Sequence, residues 1–338
     1  MTNGRVLLIG AVHESLAALN ALAAHPQVDL VRVLTLTPEL AAKTSGAIDL
    51  GGAAAALVVD VMYVEDVNKP EVVAEIRACD PDLIAVVGWT RLIHDELLAL
   101  PRRGCVGFHA SLLPRNRGRA PVNWAIIRGE TQTGNTLMVL DQGADTGRIV
   151  DQRATPIDPD DTCGSVYERV AALGADMLTD NICALLDGTA PLLEQDDALA
   201  NVLPKRTPDM GVTDWTRSAR EIHDWIRALT DPYPGAFTHL EGRRVMLWAS
   251  EHPKDDDPDA TGLEDGTVLG VDPRGLRVVV GGGTLLLTRV GDPAEPPESA
   301  HHWCLRSGVV AGTQFEIPAR DVVAWSLGQG PRPTGGVA

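Results

Sequence analysis

The sequence predicts an α/β fold, a mostly parallel sheet with helices on both faces, followed by a small antiparallel β domain. Three observations carry this. Apolar runs of strand length alternate with segments of helical spacing from the N-terminus onward. Those strands are continuous apolar runs, as expected when both faces of a sheet are covered. Beyond residue 204 the pattern changes to short strands separated by turn signals.

The elements follow in order. "RVLLIGAV" is a first strand and "HESLAALNALAAH" a helix; "DLVRVLTL" is a second strand. "NKPEVVAEIRACDPDLIAVVGW" reads as a helix, with Pro70 near its start, and then a strand. "GCVGFHA" is another buried strand, and "APVNWAIIRGE" is a helix entered through Pro121. "GNTLMVLD" and "GRIVDQRATPI" are two more strands, and a long amphipathic helix then ends at Gly188. "DDALANVLPKRTPDMGVTD" is polar and reads as a linker. "DWTRSAREIHDWIRALTD" is one helix, followed by the strands of a small barrel or sandwich. The expected division is 1–203 for a catalytic domain, 204–325 for a second domain with a leading helix, and 326–338 for a disordered tail. The acidic "EHPKDDDPDATGLEDG" is expected to be a solvated loop.

Composition narrows the function. The net charge of −17 argues against a polyanion bound on a broad basic surface. A small anion held by a few arginines stays open. No apolar run is long enough for a membrane span, and the N-terminus reads as a strand and not as a signal peptide. The five cysteines are scattered, so reduced thiols in a cytoplasmic protein are expected, without disulfides or a metal. "LLIGAVHESL" lacks GxGxxG, which counts against a dinucleotide site. His301 and His302 are read as strand neighbours facing opposite ways, and no metal is expected there. Trp215, Trp225, Trp248 and Trp303 are read as packing residues.

Ligands in open α/β sheets bind at the carboxyl ends of the strands. Three such ends carry polar groups: "AVVGW" runs into Trp89, Thr90, Arg91, Leu92 and Ile93; "CVGFHA" delivers His109 and Ser111; "TLMVLD" runs into Asp141, Gln142, Gly143 and Asp145. A histidine and a carboxylate on neighbouring strand ends can share a proton task.

"FHASLLPRNRGRAPVNWAIIRGET" with "TGNTLMVLDQGADTG" resembles the core of the enzymes that use 10-formyltetrahydrofolate, and the resemblance continues through "PKRTPDMGVTDWTRSAREIHDWIRALTDPYPGAFT". It implies a Rossmann-like domain, an OB-like C-terminal barrel and transfer of a formyl group from folate N10 to a primary amine. The family's catalytic histidine falls on His109 and its aspartate on Asp145. Asp145 is then suited to accept the amine's proton, and His109 to stabilise the oxyanion and help protonate N10. Ser111 shapes the same loop. The pterin slot falls on the backbone of Trp89, Thr90, Arg91, Leu92 and Ile93 and of Asp141, Gln142, Gly143 and Asp145, with Leu92 and Ile93 as an apolar wall.

One position departs from the family. Relatives place an asparagine two residues before the histidine, where this chain has Gly107. Loss of an oxyanion donor typically costs about 10²–10³ in rate. Three readings stand: another donor replaces it (Asn116, Asn123, a water or a backbone N–H), the chemistry has shifted toward hydrolysis or another one-carbon unit, or the chain only binds folate. The acceptor class is read from charge. "TLTPELAAKTSGAIDLGGAAAALVV" holds Lys43 alone, where methionyl-tRNA formyltransferases carry a basic insertion. A small amine, an amino sugar nucleotide, is favoured over tRNA. Arg115, Asn116, Arg117 and Arg119 are placed against its anionic part. Sugar-formylating relatives often dimerise, and no stretch here reveals an interface.

Overall fold

The computed structural model describes residues 3–251, 260 and 262–334. Most of the acidic 251–266 insert, and residues 335–338 of the expected tail, lie outside the described residues.

The first sheet is built from β1 (Gly4–Gly10), β2 (Val28–Leu36), β3 (Val61–Val64), β4 (Leu83–Val87), β5 (Cys105–His109), β7 (Gln132–Val139) and β8 (Ile149–Pro156), with the two-residue β6 (Arg117–Gly118) outside it. Its order is β3-β2-β1-β4-β5-β7-β8. The first five strands pair in parallel, and β7 and β8 close the edge antiparallel. The crossover reverses between β1 and β4, which is where an open α/β sheet leaves a crevice.

Side-chain alternation sorts the core into two layers. Val6 and Leu8 of β1 and Ala85 and Val87 of β4 face α1 (His13–Ala24), α3 (Leu50–Ala56) and α7 (Cys163–Asp187). Leu7 and Ile9 of β1 and Ile84 and Val86 of β4 face α4 (Pro70–Ala78) and α5 (Asp95–Leu98), while α2 (Pro38–Ala41) is a single turn after β2. Helices therefore cover both faces, as the continuous apolar strands required. Helix α7 buries Val166, Val170, Met177, Leu178, Ile182 and Leu185, an apolar stripe along one face of the helix. Its Gly174 is forced by contact: a Cβ there would meet the Phe108 ring at 2.7 Å.

Chain contacts divide the molecule into one unit of residues 1–121, 132–156 and 166–202 and another of 122–131, 157–165 and 203–338. The second unit thus takes up α6 (Pro121–Ile127) beyond its first residue, and the turn before α7 with the helix's first three residues, besides the C-terminal segment.

After β9 (Val202–Leu203), the C-terminal region holds α8 (Ala219–Leu229) and a six-stranded antiparallel sheet. The strands are β10 (Ala236–Leu240), β11 (Arg243–Ser250), β12 (Val268–Asp272), β13 (Gly275–Val280), β14 (Gly283–Gly291) and the short β15 (Glu298–Ser299), ordered β10-β11-β14-β13-β12 with β15 beside β14. Helix α8 starts later than expected. Asp214 accepts from Thr216 in a turn, and Ser218 and Glu221 then form a reciprocal capping box that fixes the start. Trp215, Trp225 and Trp303 are buried here, and Trp215 stacks on Phe315 at 5.5 Å.

His301 and His302 correct the strand reading. They lie in α9 (Ala300–Ser307), which Ser299 caps by accepting from His302 N. The chain closes with α10 (Arg320–Ser326), after which Arg332 pairs with Asp209 at 3.1 Å and lies over Trp325. Among the described residues no helix is long and apolar enough to cross a membrane.

Candidate active site

Strand β5 pairs with β4 from Ile84↔Cys105 to Val86↔Gly107 and with β7 from Val106↔Val139 to His109↔Thr136. His109 therefore stands at the carboxyl end of a central strand, and its side chain is buried. Both ring nitrogens are engaged. Nε2 lies 2.7 Å from the Asn116 carbonyl oxygen, and Nδ1 lies 3.4 Å from Asp145 Oδ1. A carbonyl only accepts, so Nε2 carries a hydrogen and Nδ1 is the nitrogen turned to Asp145. The other Asp145 oxygen accepts from Gly118 N at 2.8 Å.

Local chemistry explains how the two loops are held. In "SLLP", Ser111 Oγ donates to Arg115 O at 2.8 Å, while Thr136 Oγ1 donates to Ser111 O and accepts from Leu113 N. Ser111 is thus tied into the loop through both its hydroxyl and its carbonyl. In the aspartate loop, Asp141 Oδ1 accepts from Gly143 N at 3.0 Å and from Thr146 Oγ1 at 2.7 Å, a side chain mimicking a turn. A Cβ at Gly147 would collide with the Val139 carbonyl. Asp145 itself sits at φ +59°, a left-handed conformation that turns its carboxylate back to His109.

Gly107 has no open space beside it. A Cβ there would lie 2.9 Å from the Val86 carbonyl oxygen and 3.0 Å from Leu140 Cδ2. The Leu140 side chain packs directly against this glycine. Asn123, one of the expected substitute donors, spends its amide nitrogen on Ala228 O at 2.6 Å.

The expected pterin residues fall into two groups. Leu92, Ile93 and Gln142 line one open groove of about 440 Å³ together with Asn68, His94 and Asp95. Asn68 shapes its floor, donating to Leu92 O and accepting from His94 N. Arg91 instead bonds Glu65 O, and Thr90 O accepts from Arg119 Nη2 at 2.8 Å. Trp89 packs into the core beneath, with its indole N–H buried and unpaired.

The arginines separate in the same way. Arg115 and Arg119 are exposed, but Arg117 is buried and its guanidinium bonds Gln195 Oε1 and Asp197 Oδ1. Asn116 points to Asn201, which accepts from its N and donates to its Oδ1. Gln195 and Asn201, beside and in the stretch expected to be a linker, bond the loops that carry Asp145 and Asn116. Their only sequence signal is a polar amide near a buried turn, which is too weak to find them.

Over residues 6–182 the sequence matches the formyl transferase family, and over 205–307 the formyl transferase C-terminal domain. The chain belongs to the formyl transferase family. A methionyl-tRNA formyltransferase of Geobacter metallireducens is 40% identical over 224 residues, 65% of this chain and 71% of that one. Among solved structures, an N-formyltransferase from Helicobacter canadensis in complex with folinic acid and dTDP-3-aminofucose superposes with a TM-score of 0.61 at 17% identity, over 85% of this chain and 98% of that one. HypX from Aquifex aeolicus in complex with tetrahydrofolic acid gives 0.63 at 18% identity over 90% of this chain, which spans only 47% of HypX. These two structures show a common fold. As a formyltransferase, the chain is an enzyme that moves formyl groups, and the expected fold class holds.

Proposed function

We propose that this formyltransferase moves a formyl group from 10-formyltetrahydrofolate to a primary amine of a small molecule, an amino sugar nucleotide being the favoured class. The observation that carries the reading is the His109–Asp145 pair at the end of a central strand, with a groove walled by Leu92 and Ile93 that Gln142 of the aspartate loop also lines.

The donor fits the groove by chemistry. Leu92 and Ile93 offer an apolar face to a flat ring system, and the Gln142 carbonyl oxygen and local backbone offer polar edges. Bound there, the donor would supply an activated formyl carbon. The chain's own residues handle the proton. An attacking amine must lose one proton as its N–C bond forms, and the departing nitrogen must gain one. Asp145 Oδ1 and His109 Nδ1 face each other and together can take the first and return it as the second. With Nε2–H held on Asn116 O, His109 is better placed for this relay than for the oxyanion. Leu140 beside Gly107 leaves no side-chain oxyanion donor at that position.

The small acceptor rests on charge. The stretch 37–58 carries Lys43 as its single cation, whereas phosphate backbones are held by rows of Lys and Arg. Arg115 and Arg119 are the exposed cations beyond the catalytic strand and suit one diphosphate. Methionyl-tRNA is the second reading, favoured by the 40% identity to an enzyme of that name. One experiment separates them: the protein is incubated with formyl-folate and either amino sugar nucleotides or charged initiator tRNA, and the added formyl mass is followed. Product on tRNA alone would transfer the assignment to the second reading.

A further inference from the structure

We propose that the segment after α7, residues 189–203, is a positioning strap for the proton-transferring pair, with Gln195 and Asn201 as its two working side chains. The inference rests on the reading of His109 and Asp145 given above. The strap is anchored at Leu193, whose N and O both bond Ile149 at 2.8 Å. From there Gln195 reaches the backbone of Asp145, and Asn201 reaches Asn116, whose carbonyl meets His109.

Gln195 holds the aspartate loop. Its Nε2 donates to Asp145 O at 3.0 Å and to Gly147 O at 2.7 Å, while its Oε1 accepts from Arg117 Nη2 at 2.8 Å. One amide therefore fixes the backbone at Asp145 and two residues after it, and the left-handed φ of Asp145 is one that a side-chain-bearing residue rarely adopts. Through Arg117 the same amide ties this loop to the one that follows His109.

Asn201 holds the histidine indirectly. It accepts from Asn116 N at 2.9 Å and donates to Asn116 Oδ1 at 3.1 Å, a two-point grip on another left-handed residue. The carbonyl of Asn116 is the acceptor for His109 Nε2. Moving Asn116 would release Nε2–H and let the ring take the other tautomer, with Nδ1 no longer reserved for Asp145. Asn201 thus sets which nitrogen carries the proton, and Gln195 sets where the carboxylate stands. Neither touches the reacting atoms.

The test uses the full chain, with formyl transfer and thermal unfolding measured on wild type, Gln195→Glu and Asn201→Asp. Gln195→Glu keeps an acceptor for Arg117 and loses both donors to the loop carbonyls. Asn201→Asp keeps the acceptor for Asn116 N and loses the donor. Misplacing a reacting group by about 1 Å can cost about 10²-fold, so each variant should lose kcat by about that factor. KM for the formyl donor should stay near wild type, and the pH profile of kcat should be displaced. Folded variants with wild-type kcat and pH profile would overturn the proposal. A ¹⁵N spectrum of the His109 imidazole in the wild-type protein covers variants that fail to fold: Nε2–H is expected, and a neutral ring protonated only on Nδ1 would equally overturn it. If wild type transfers no formyl group to any amine, the functional reading falls, and the imidazole spectra of wild type and Asn201→Asp decide the strap by themselves.

Discussion

His109 Nδ1 and Asp145 Oδ1 face each other at 3.4 Å, and the proton relay proposed for them gives the sharpest expectations for single residues. Asp145→Asn keeps an acceptor for Gly118 N but cannot hold the proton. Positioned acid–base groups contribute about 10²–10⁴-fold, so a kcat loss in that range is expected with donor affinity retained, read by steady-state transfer and folate titration. Gly107→Asn is expected to disappoint as a repair. Its Cβ would press on the Val86 carbonyl and Leu140, and overpacking costs about 1–3 kcal/mol, so denaturant unfolding should show lost stability and the assay no gain in transfer. Glu14, half-buried in the first turn of α1, gives a pH expectation. Burial pushes its carboxyl up from 4.5 to about 7. The native state therefore holds this proton more tightly than the unfolded chain, so the contribution to stability is full below 4.5 and is lost as pH rises to about 7. Glu14→Gln should flatten that fall in thermal unfolding scans. The sequence made His109 and Asp145 legible because their chemistry comes with short motifs. It hid Gln195 and Asn201 because their partners lie 50 and 85 residues away, and no local pattern encodes such pairs.

At the scale of elements, helix ends and close approaches carry the information. The Ser218–Glu221 capping box decides where α8 begins, and losing an N-cap costs about 0.5–2 kcal/mol, so Ser218→Ala should lower the unfolding free energy by about 1 kcal/mol without affecting transfer. The alternation of apolar strands and helices was legible because its period is physical: layers of side chains on two faces of one sheet. The antiparallel edge of β7 and β8 was not, since a strand's apolar run does not state its direction. The strand reading of His301 and His302 failed for a local reason. Ser299 caps a helix there, with Gly308 in a left-handed turn at its other end, and the short helix between them has too few residues to show a period.

Charge is the property of the whole molecule that bears most on function. A net −17 with Lys43 alone in the stretch after the second strand supports the proposed small acceptor over a long phosphate backbone, with two exposed arginines proposed to meet one diphosphate. Uncharged initiator tRNA should therefore show weak binding that vanishes as salt rises, measured by filter retention over a salt series. The account as a whole depends on transfer to a small amine through one proton-sharing pair. The most direct measurement is formyl-product formation from 10-formyltetrahydrofolate and amino sugar nucleotides, with wild type and His109→Ala run side by side. The account predicts formylated sugar nucleotide with wild type and a collapse of turnover in the variant. Wild-type protein that binds the folate but yields no formylated amine, or a variant that transfers as fast as wild type, would contradict it.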